Sequence, residues 1–208
     1  MKKSKIYKLI LGTLFFLVMA IQEGKTQFFY LGLNGGANYA WFKAPKLSNV
    51  ISSEGYGWNM GFFIRYGKRP YVQAGFDWTR ANNNFVFEVK EADIKIEDKV
   101  PFHNFDFSLK VGYELIQKPY FKWSLLGGPF IGRSLLFNSS EFEFKNSDFK
   151  NPQYGIIAGT AFQVTNFIFS VEYSNHLSGL FKPIELDGYT FDFGSKLQLI
   201  TAKLGMQF

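Results

Sequence analysis

The chain has 208 residues and a formal net charge of +6, a value that raises the hypothesis of a nucleic-acid or anionic-surface partner. Five of the 23 basic and one of the 17 acidic residues precede Gln27, where we expect a signal peptide to be cut. The mature chain then keeps 18 basic and 16 acidic residues, a formal charge of +2. We therefore predict no nucleic-acid partner. Because the sequence contains no cysteine, it has no disulfide, no thiolate metal site and no lipid-modified cysteine.

The amino-terminal segment has the pattern of an export signal. Four lysines among the first eight residues precede an apolar run, 9–21, which is too short to span a bilayer as a helix. Gly24 and Thr26 are small residues at the third and first positions before the expected cut. We predict a signal peptide at 1–26 and a single β-barrel domain at 27–208.

Eight segments of the mature chain alternate between apolar and polar residues, and aromatic residues are abundant, with 26 Phe, 11 Tyr and 4 Trp. This pattern is typical of strands that face lipid on one side and a barrel lumen on the other, and each segment has about the 9 to 11 residues that a tilted transmembrane strand needs. Only Phe63 breaks the alternation of its segment. In another segment, Pro129 is expected to weaken the strand locally, because it removes a ladder donor and usually marks a bulge. In chain order the segments are 29–41, 56–66, 71–80, 105–115, 120–134, 154–164, 167–175 and 197–208. The predicted fold is all-β, an eight-stranded antiparallel up-and-down transmembrane β-barrel.

The connections alternate in length. Short turns are expected at 67–70, 116–119 and 165–166, and long loops at 42–55, 81–101, 135–152 and 178–196. In outer-membrane barrels short turns face the periplasm and long loops face outward. We therefore predict a location in the cell outer membrane with both mature termini in the periplasm. Alternation within the second long loop predicts a hairpin that extends the third and fourth strands.

Three short phrases resemble a known family. They are Gly-Leu-Asn-Gly-Gly-Ala-Asn at 32–38, Leu-Gly-Gly-Pro-Phe-Ile-Gly at 126–132 and Leu-Gly-Met-Gln-Phe at 204–208. Together they resemble the outer-membrane β-barrel family of Bacteroidota called PorT-like. The resemblance covers essentially the whole mature chain and implies a small outer-membrane barrel. It also implies that some relatives act in type IX protein secretion and gliding, a role that no residue here carries over.

Charged residues are expected on the lumen side of the predicted strands. They balance, with four bases and four acids, so the simplest hypothesis is a salt-bridged plug inside a barrel whose interior is just filled by side chains. A path for protons or small ions is the alternative. The residues are Arg65, Asp77, Asp106, Lys110, Glu114, Lys122, Glu172 and Lys203.

His176, Ser178 and Glu185 form the one grouping with catalytic chemistry, because a serine nucleophile needs a histidine base and a carboxylate that orients it. The grouping resembles that of the outer-membrane lipid A deacylases. Against this hypothesis, His176 shares its side of the strand with Glu172 and so faces the lumen or its rim, whereas a lipid arrives from outside. The other histidine, His103, is expected to be an interfacial polar residue, and two histidines do not support a histidine-based metal cluster.

The sequence therefore predicts a small outer-membrane barrel with a non-catalytic structural, binding or envelope-assembly role and with its long loops as the contact surface. The alternative is a lipid-modifying enzyme that uses His176 and Ser178. We predict no catalytic residues, cofactor or metal. Expected partners are outer-membrane lipid, the barrel-assembly machinery during insertion and a protein of the envelope.

Overall fold

A computed structural model describes residues 29–43, 50–89, 94–136, 146–182, 184–186, 189–191 and 196–208. The predicted signal peptide and its cleavage before Gln27 lie outside these residues. None of the described residues forms a helix long and apolar enough to cross a membrane.

The strands close into a single barrel, because the last strand pairs with the first. Each of the eight barrel strands pairs antiparallel with its neighbours in the order β1-β2-β3-β4-β5-β6-β7-β10, and β10 returns to β1. This confirms the predicted eight-stranded antiparallel barrel. A separate two-stranded sheet, β8 with β9, lies in the connection before β10. The strands are β1 Phe29–Lys43, β2 Val50–Gly67, β3 Tyr71–Val89, β4 Ile94–Lys118, β5 Phe121–Leu135, β6 Gln153–Val164, β7 Phe167–His176, β8 Ile184–Leu186, β9 Tyr189–Phe191 and β10 Lys196–Gln207.

The alternation of side chains follows the expected period of two. On β10, Leu204 is 69% exposed on the outer wall while its neighbour Lys203 is 5% exposed inside the barrel. The predicted hairpin extension is also confirmed, because β3 and β4 remain paired from Tyr71 as far as the Val89–Ile94 pair. Both ends of the described chain lie at the end of the short turns, where Phe208 and Leu31 exchange two backbone hydrogen bonds.

The predicted bulge at Pro129 is wrong. The pairing of β4 with β5 keeps one register on both sides of it, from Ser108–Phe130 to Val111–Gly127, so no extra residue is inserted there. The register of this strand pair shifts instead between Glu114 and Ile116, near the short-turn end. Pro129 interrupts the ladder by lacking a donor, but it does not require a change of register.

Phe63 breaks the sequence pattern because it fills space that a glycine leaves. Its ring lies inside the barrel, where it is 4% exposed, and it pairs directly across from Gly32 on β1. A Cβ atom built on Gly32 would lie 2.1 Å from Cζ of the Phe63 ring. Gly32 and Phe63 are therefore complementary in size, because the absence of a side chain on Gly32 lets the ring lie against the backbone of β1.

This complementarity predicts that Gly32→Ala destabilises the barrel by about 1 to 3 kcal/mol through overpacking, and that adding Phe63→Leu to it recovers part of the loss. Urea titration of the refolded barrel measures both variants. Gly35→Ala is the matched control, because a Cβ there has an ordinary contact of 3.6 Å with the Asn59 carbonyl oxygen. Equal losses for Gly32→Ala and Gly35→Ala would contradict the proposed packing.

Candidate functional site

The lumen near the short turns is occupied by a buried arginine with aromatic and amide neighbours. Arg65 donates two hydrogen bonds to Oε1 of Gln73, from Nε at 3.2 Å and from Nη2 at 3.0 Å. Its guanidinium carbon lies 4.2 Å from the centre of the Tyr71 ring. The hydroxyl of Tyr71 in turn donates to Oγ of Ser124 on β5, at 3.1 Å. These contacts connect β2, β3 and β5 at the short-turn end.

An apolar layer follows toward the centre of the barrel. It consists of Phe63, Leu126, Ala161 and Ile168, all at most 7% exposed. Side chains from β2, β5, β6 and β7 meet here. The layer lies between the Arg65 region and the charged residues at mid-barrel, and one cavity of about 20 Å³ beside it is lined from Arg65 to Lys203.

The mid-barrel charges form a connected ionic network. Lys203 Nζ lies 2.9 Å from Oδ1 of Asp77 and 3.1 Å from Oε2 of Glu172. Glu172 is also paired with Lys110, at 2.9 Å. Asn59 donates from Nδ2 to the same oxygen of Asp77, at 3.3 Å. All of these side chains are buried, and Lys203 is the residue that holds two carboxylates together.

The predicted lumen residues thus occupy the positions that the alternation assigned to them, although they do not all pair. Glu114 and Lys122 form a separate ion pair of 3.3 Å near the short turns. Asp106 is opposite Asp77 across the β3–β4 ladder, and within the described structure it forms no ion pair. Arg65 is stabilised by rings and an amide. Two cavities between these groups measure about 20 Å³ each, enough for a single water molecule.

The long-loop end is closed by an apolar cluster that the sequence analysis did not predict. Part of the cluster comes from inward-facing strand residues, and part comes from the connections after β5 and β7. Phe149 and Phe181 pair through a β-bridge, with ring centres 5.2 Å apart, and Phe181 stacks on Phe42 at 6.4 Å. The members are Ala40, Phe42, Ala81, Phe102, Leu136, Phe149, Leu180, Phe181, Leu197 and Leu199.

Two asparagines hold the connection after β5 in place. The amide oxygen of Asn146 accepts from the backbone nitrogen of Leu136 at 2.6 Å, and its nitrogen donates to the Leu136 carbonyl at 3.1 Å. Asn151 makes the same pair of bonds with Ser134, at 2.9 and 3.0 Å. Each asparagine side chain thus makes the pair of hydrogen bonds that the backbone of a neighbouring strand would make. The described part of this connection, 146–152, is held at the mouth of the barrel by these polar bonds and by the apolar packing of Phe149 between them.

The structure does not join His176 to Ser178. The His176 ring is 1% exposed and lies edge-on to Phe130, with ring centres 4.8 Å apart, and neither ring nitrogen has a hydrogen-bond partner among the described residues. Ser178 Oγ accepts from the backbone nitrogen of Tyr154 at 3.1 Å and donates to its carbonyl oxygen at 3.5 Å, so it caps the start of β6. The side chain of Glu185 lies outside the described part of the chain.

The outer wall has aromatic residues at the level of the loop ends. Trp58 and Trp78 pack edge to face at 4.9 Å, and Trp78 stacks on Phe105 at 5.9 Å. Trp78 donates its indole hydrogen to Nδ1 of His103, at 3.0 Å. Such rings are typical of the zone where a membrane meets water. His103, expected to be an interfacial polar residue, is therefore placed on this aromatic level of the wall.

Metal ligands do not cluster in the described residues, where no three of His, Asp and Glu come close enough to hold an ion. The histidines are on different strands, His103 on β4 and His176 on β7, and their rings make the separate contacts given above.

The fold agrees with solved structures, although no family model and no curated protein matches the chain. The chain is similar to Neisserial surface protein A, with 15% identity, coverage of 86% of this chain and 97% of that chain, and a TM-score of 0.50. It is also similar to Ail, the attachment invasion locus protein of Yersinia pestis, with 16% identity, coverage of 88% of this chain and 100% of that chain, and a TM-score of 0.44. A third similar structure is the outer membrane protease OmpT from Escherichia coli, with 12% identity, coverage of 88% of this chain and 98% of that chain, and a TM-score of 0.39. At these identities the likeness shows the fold alone. The chain has the eight-stranded β-barrel fold of small outer-membrane proteins.

Proposed function

We propose that this chain is a closed, non-catalytic barrel of the outer membrane, whose long-loop end is a contact surface for another component of the envelope. The observation that carries the proposal is the filled lumen. The ionic network around Lys203 lies between the apolar layer of Phe63 and the apolar cluster at the loop end. A filled lumen of this kind supports a closed barrel rather than a pore, and we therefore assign the specific function to its surfaces.

The orientation belongs to the same proposal. The outer wall is apolar along the strands, with residues such as Leu33, Phe107 and Leu125 about half exposed or more, which suits contact with lipid. The short-turn end carries both ends of the described chain. With the short turns in the periplasm, as in outer-membrane barrels generally, the loop-end cluster faces the outside of the cell.

A PorT-like, Bacteroidota affiliation and an accessory role in envelope assembly are the finer part of the proposal. They are supported by the three sequence phrases, which occupy β1, β5 and the end of β10. Their glycines have a packing reason here: Gly32 accommodates the Phe63 ring, and a Cβ on Gly128 would lie 2.0 Å from the Leu109 carbonyl oxygen. The phrases therefore support a shared barrel, and the assembly role depends on finding a partner.

The geometry favours the non-catalytic role over a lipid-modifying enzyme. Hydrolysis of an ester by serine needs the hydroxyl within hydrogen-bond reach of the histidine. Here Ser178 binds the backbone of Tyr154, and the His176 ring packs inside the lumen against Phe130. In this arrangement neither side chain contacts the group that the reaction would require of it.

The test is capture of a partner from native envelopes. We expect the affinity-tagged chain, solubilised in mild detergent after chemical crosslinking, to retain one envelope protein in constant proportion. A control variant in which residues 137–145 are replaced by a Gly-Ser linker keeps the barrel strands and should lose that protein. Failure to retain any protein, or equal retention by the control, would contradict a contact surface in this loop. Large, steady single-channel currents from the purified chain in planar bilayers would contradict the closed lumen.

A further inference from the structure

Two arginines project from the outer wall at the long-loop end. Arg80 on β3 and Arg133 on β5 share the outward side of their strands with lipid-facing residues. β4 lies between them: Arg80 is opposite His103, and Arg133 is opposite Phe105. The two arginine Cα atoms are thus roughly 10 Å apart across the sheet and about 7 Å apart along it. Long side chains at this spacing can converge on one group that lies over His103 and Phe105.

This position is at the depth of lipid headgroups rather than of acyl chains. Phe105 and Trp78 are directly opposite each other, and Arg80 is opposite Trp58 on the other side of β3. Aromatic rings at this level of a barrel mark the boundary between hydrocarbon and water. Arginine side chains beside them extend toward the interface while their stems remain against apolar surface.

Neither guanidinium group forms an ion pair within the described residues. Nε of Arg80 is buried and has no hydrogen-bond partner, and Arg133 is exposed and forms no ion pair with any residue that the structure describes. The outward positions of β3, β4 and β5 between 71 and 84, 101 and 117, and 121 and 135 contain no Asp or Glu. Two neighbouring positive charges without a carboxylate beside them suit an external anion that lies within reach of both guanidinium groups.

The opposite end of the same strands differs. Arg69, in the turn between β2 and β3, has its guanidinium carbon 4.9 Å from the centre of the Tyr113 ring, so its charge already has an aromatic neighbour. Positive charge at the two ends of the wall is therefore arranged differently. At the long-loop end two arginines flank one patch, and at the short-turn end this arginine stacks on a ring.

We propose that Arg80 and Arg133 bind the phosphate of a phosphorylated lipid in the leaflet that surrounds the long-loop end. Two guanidinium groups suit a phosphate because each can donate a pair of charge-assisted hydrogen bonds. The lipid, rather than free phosphate, is the ligand, because Trp58, Trp78 and Phe105 provide an apolar wall directly beside the arginines for the rest of the molecule. The inference rests on the proposed membrane location.

The test uses the purified full chain refolded in detergent and titrated with lipid A that carries its phosphates, with the bound lipid counted by native mass spectrometry. We expect the double variant Arg80→Gln/Arg133→Gln to bind at least tenfold more weakly than the original chain. Arg69→Gln, the matched control at the other end of the wall, should bind normally. Lipid A stripped of phosphate should bind the original chain as weakly as phosphorylated lipid A binds the double variant.

Three outcomes would overturn the site: equal binding by the double variant, equal loss in Arg69→Gln, or undiminished binding of the dephosphorylated lipid. Displacement of the lipid by an equal concentration of inorganic phosphate would overturn the lipid as the ligand. Insertion into phosphatidylcholine vesicles is measured in parallel for every variant. Failure of the original chain to insert would contradict the proposed membrane barrel, whereas normal insertion without discrimination between the lipids would contradict the phosphate site alone.

Discussion

Replacing Lys203 with methionine is expected to lower the free energy of unfolding by about 3 to 5 kcal/mol, because it removes one partner of a buried ionic network and leaves the others uncompensated. Glu172 would keep Lys110 at 2.9 Å. Asp77 would keep only the 3.3 Å hydrogen bond from Asn59, with Asp106 directly across the strand pair. The loss should therefore arise mainly at Asp77.

Urea titration in lipid vesicles, followed by tryptophan fluorescence, measures this loss. Lys122→Met is the matched control, because Lys122 is 22% exposed at its side chain and has one ion pair, of 3.3 Å with Glu114. Lys122→Met should lose clearly less unfolding free energy than Lys203→Met, since a partly exposed ion pair contributes less to stability. Adding Asp77→Asn to Lys203→Met should recover part of the stability. A Lys122→Met variant that is as unstable as Lys203→Met would contradict the central role of Lys203.

The sequence was sufficient for the strands and their sides because the physics that sets them is local. A strand between lipid and lumen must alternate, so Leu204 and Lys203 could be placed on opposite faces from their positions alone. Which of the lumen charges would form the central ion pairs could not be predicted in the same way. Lys203 lies 126 residues from Asp77 along the chain, and the contact depends on the registers of the strands between them.

The cluster at the loop end could not be predicted, because connections have no period. Phe149 and Leu180 lie in segments of mixed composition, and their burial depends on the β-bridge between two separate connections. The sequence does contain one signal: the inward positions of the strands near the loop end are apolar at Phe42, Phe102 and Leu197. Apolar residues at the mouth of a barrel need a cover, and the connections provide it.

Isolated exceptions to a pattern carried packing information here. Phe63 interrupted the alternation of its strand and proved to be complementary to Gly32. The pair of His176 and Ser178 has catalytic residue types at short spacing, yet the strand end turns the ring toward Phe130 and the hydroxyl toward the Tyr154 backbone. Residue type and spacing do not specify the direction of the ring or of the hydroxyl. Both directions depend on where the strand ends.

Replacing Leu204 with arginine is expected to destabilise the inserted barrel by about 2 to 4 kcal/mol, because it places a charge near the middle of the lipid-facing wall. Leu204 is midway between two aromatic levels. Four residues before it, Ile200 is opposite Tyr39 near the loop end, and four residues after it the chain reaches Phe208 at the short-turn end. A charge at this depth has the longest distance to reach water.

The matched control is Met206→Arg, two residues closer to the short-turn end on the same side of β10, where Met206 is opposite Leu33. The cost of a lipid-facing charge decreases toward the interface. The stability lost by Met206→Arg should therefore lie between that lost by Leu204→Arg and the roughly 0 to 1 kcal/mol expected at the interface itself. Both losses are measured by urea titration in vesicles, and the insertion of each variant is checked by resistance to protease. Equal losses at the two positions would show that the wall around Leu204 does not meet hydrocarbon. The same variants in detergent micelles should differ less, because a micelle surrounds the wall with a thinner and more adaptable apolar layer.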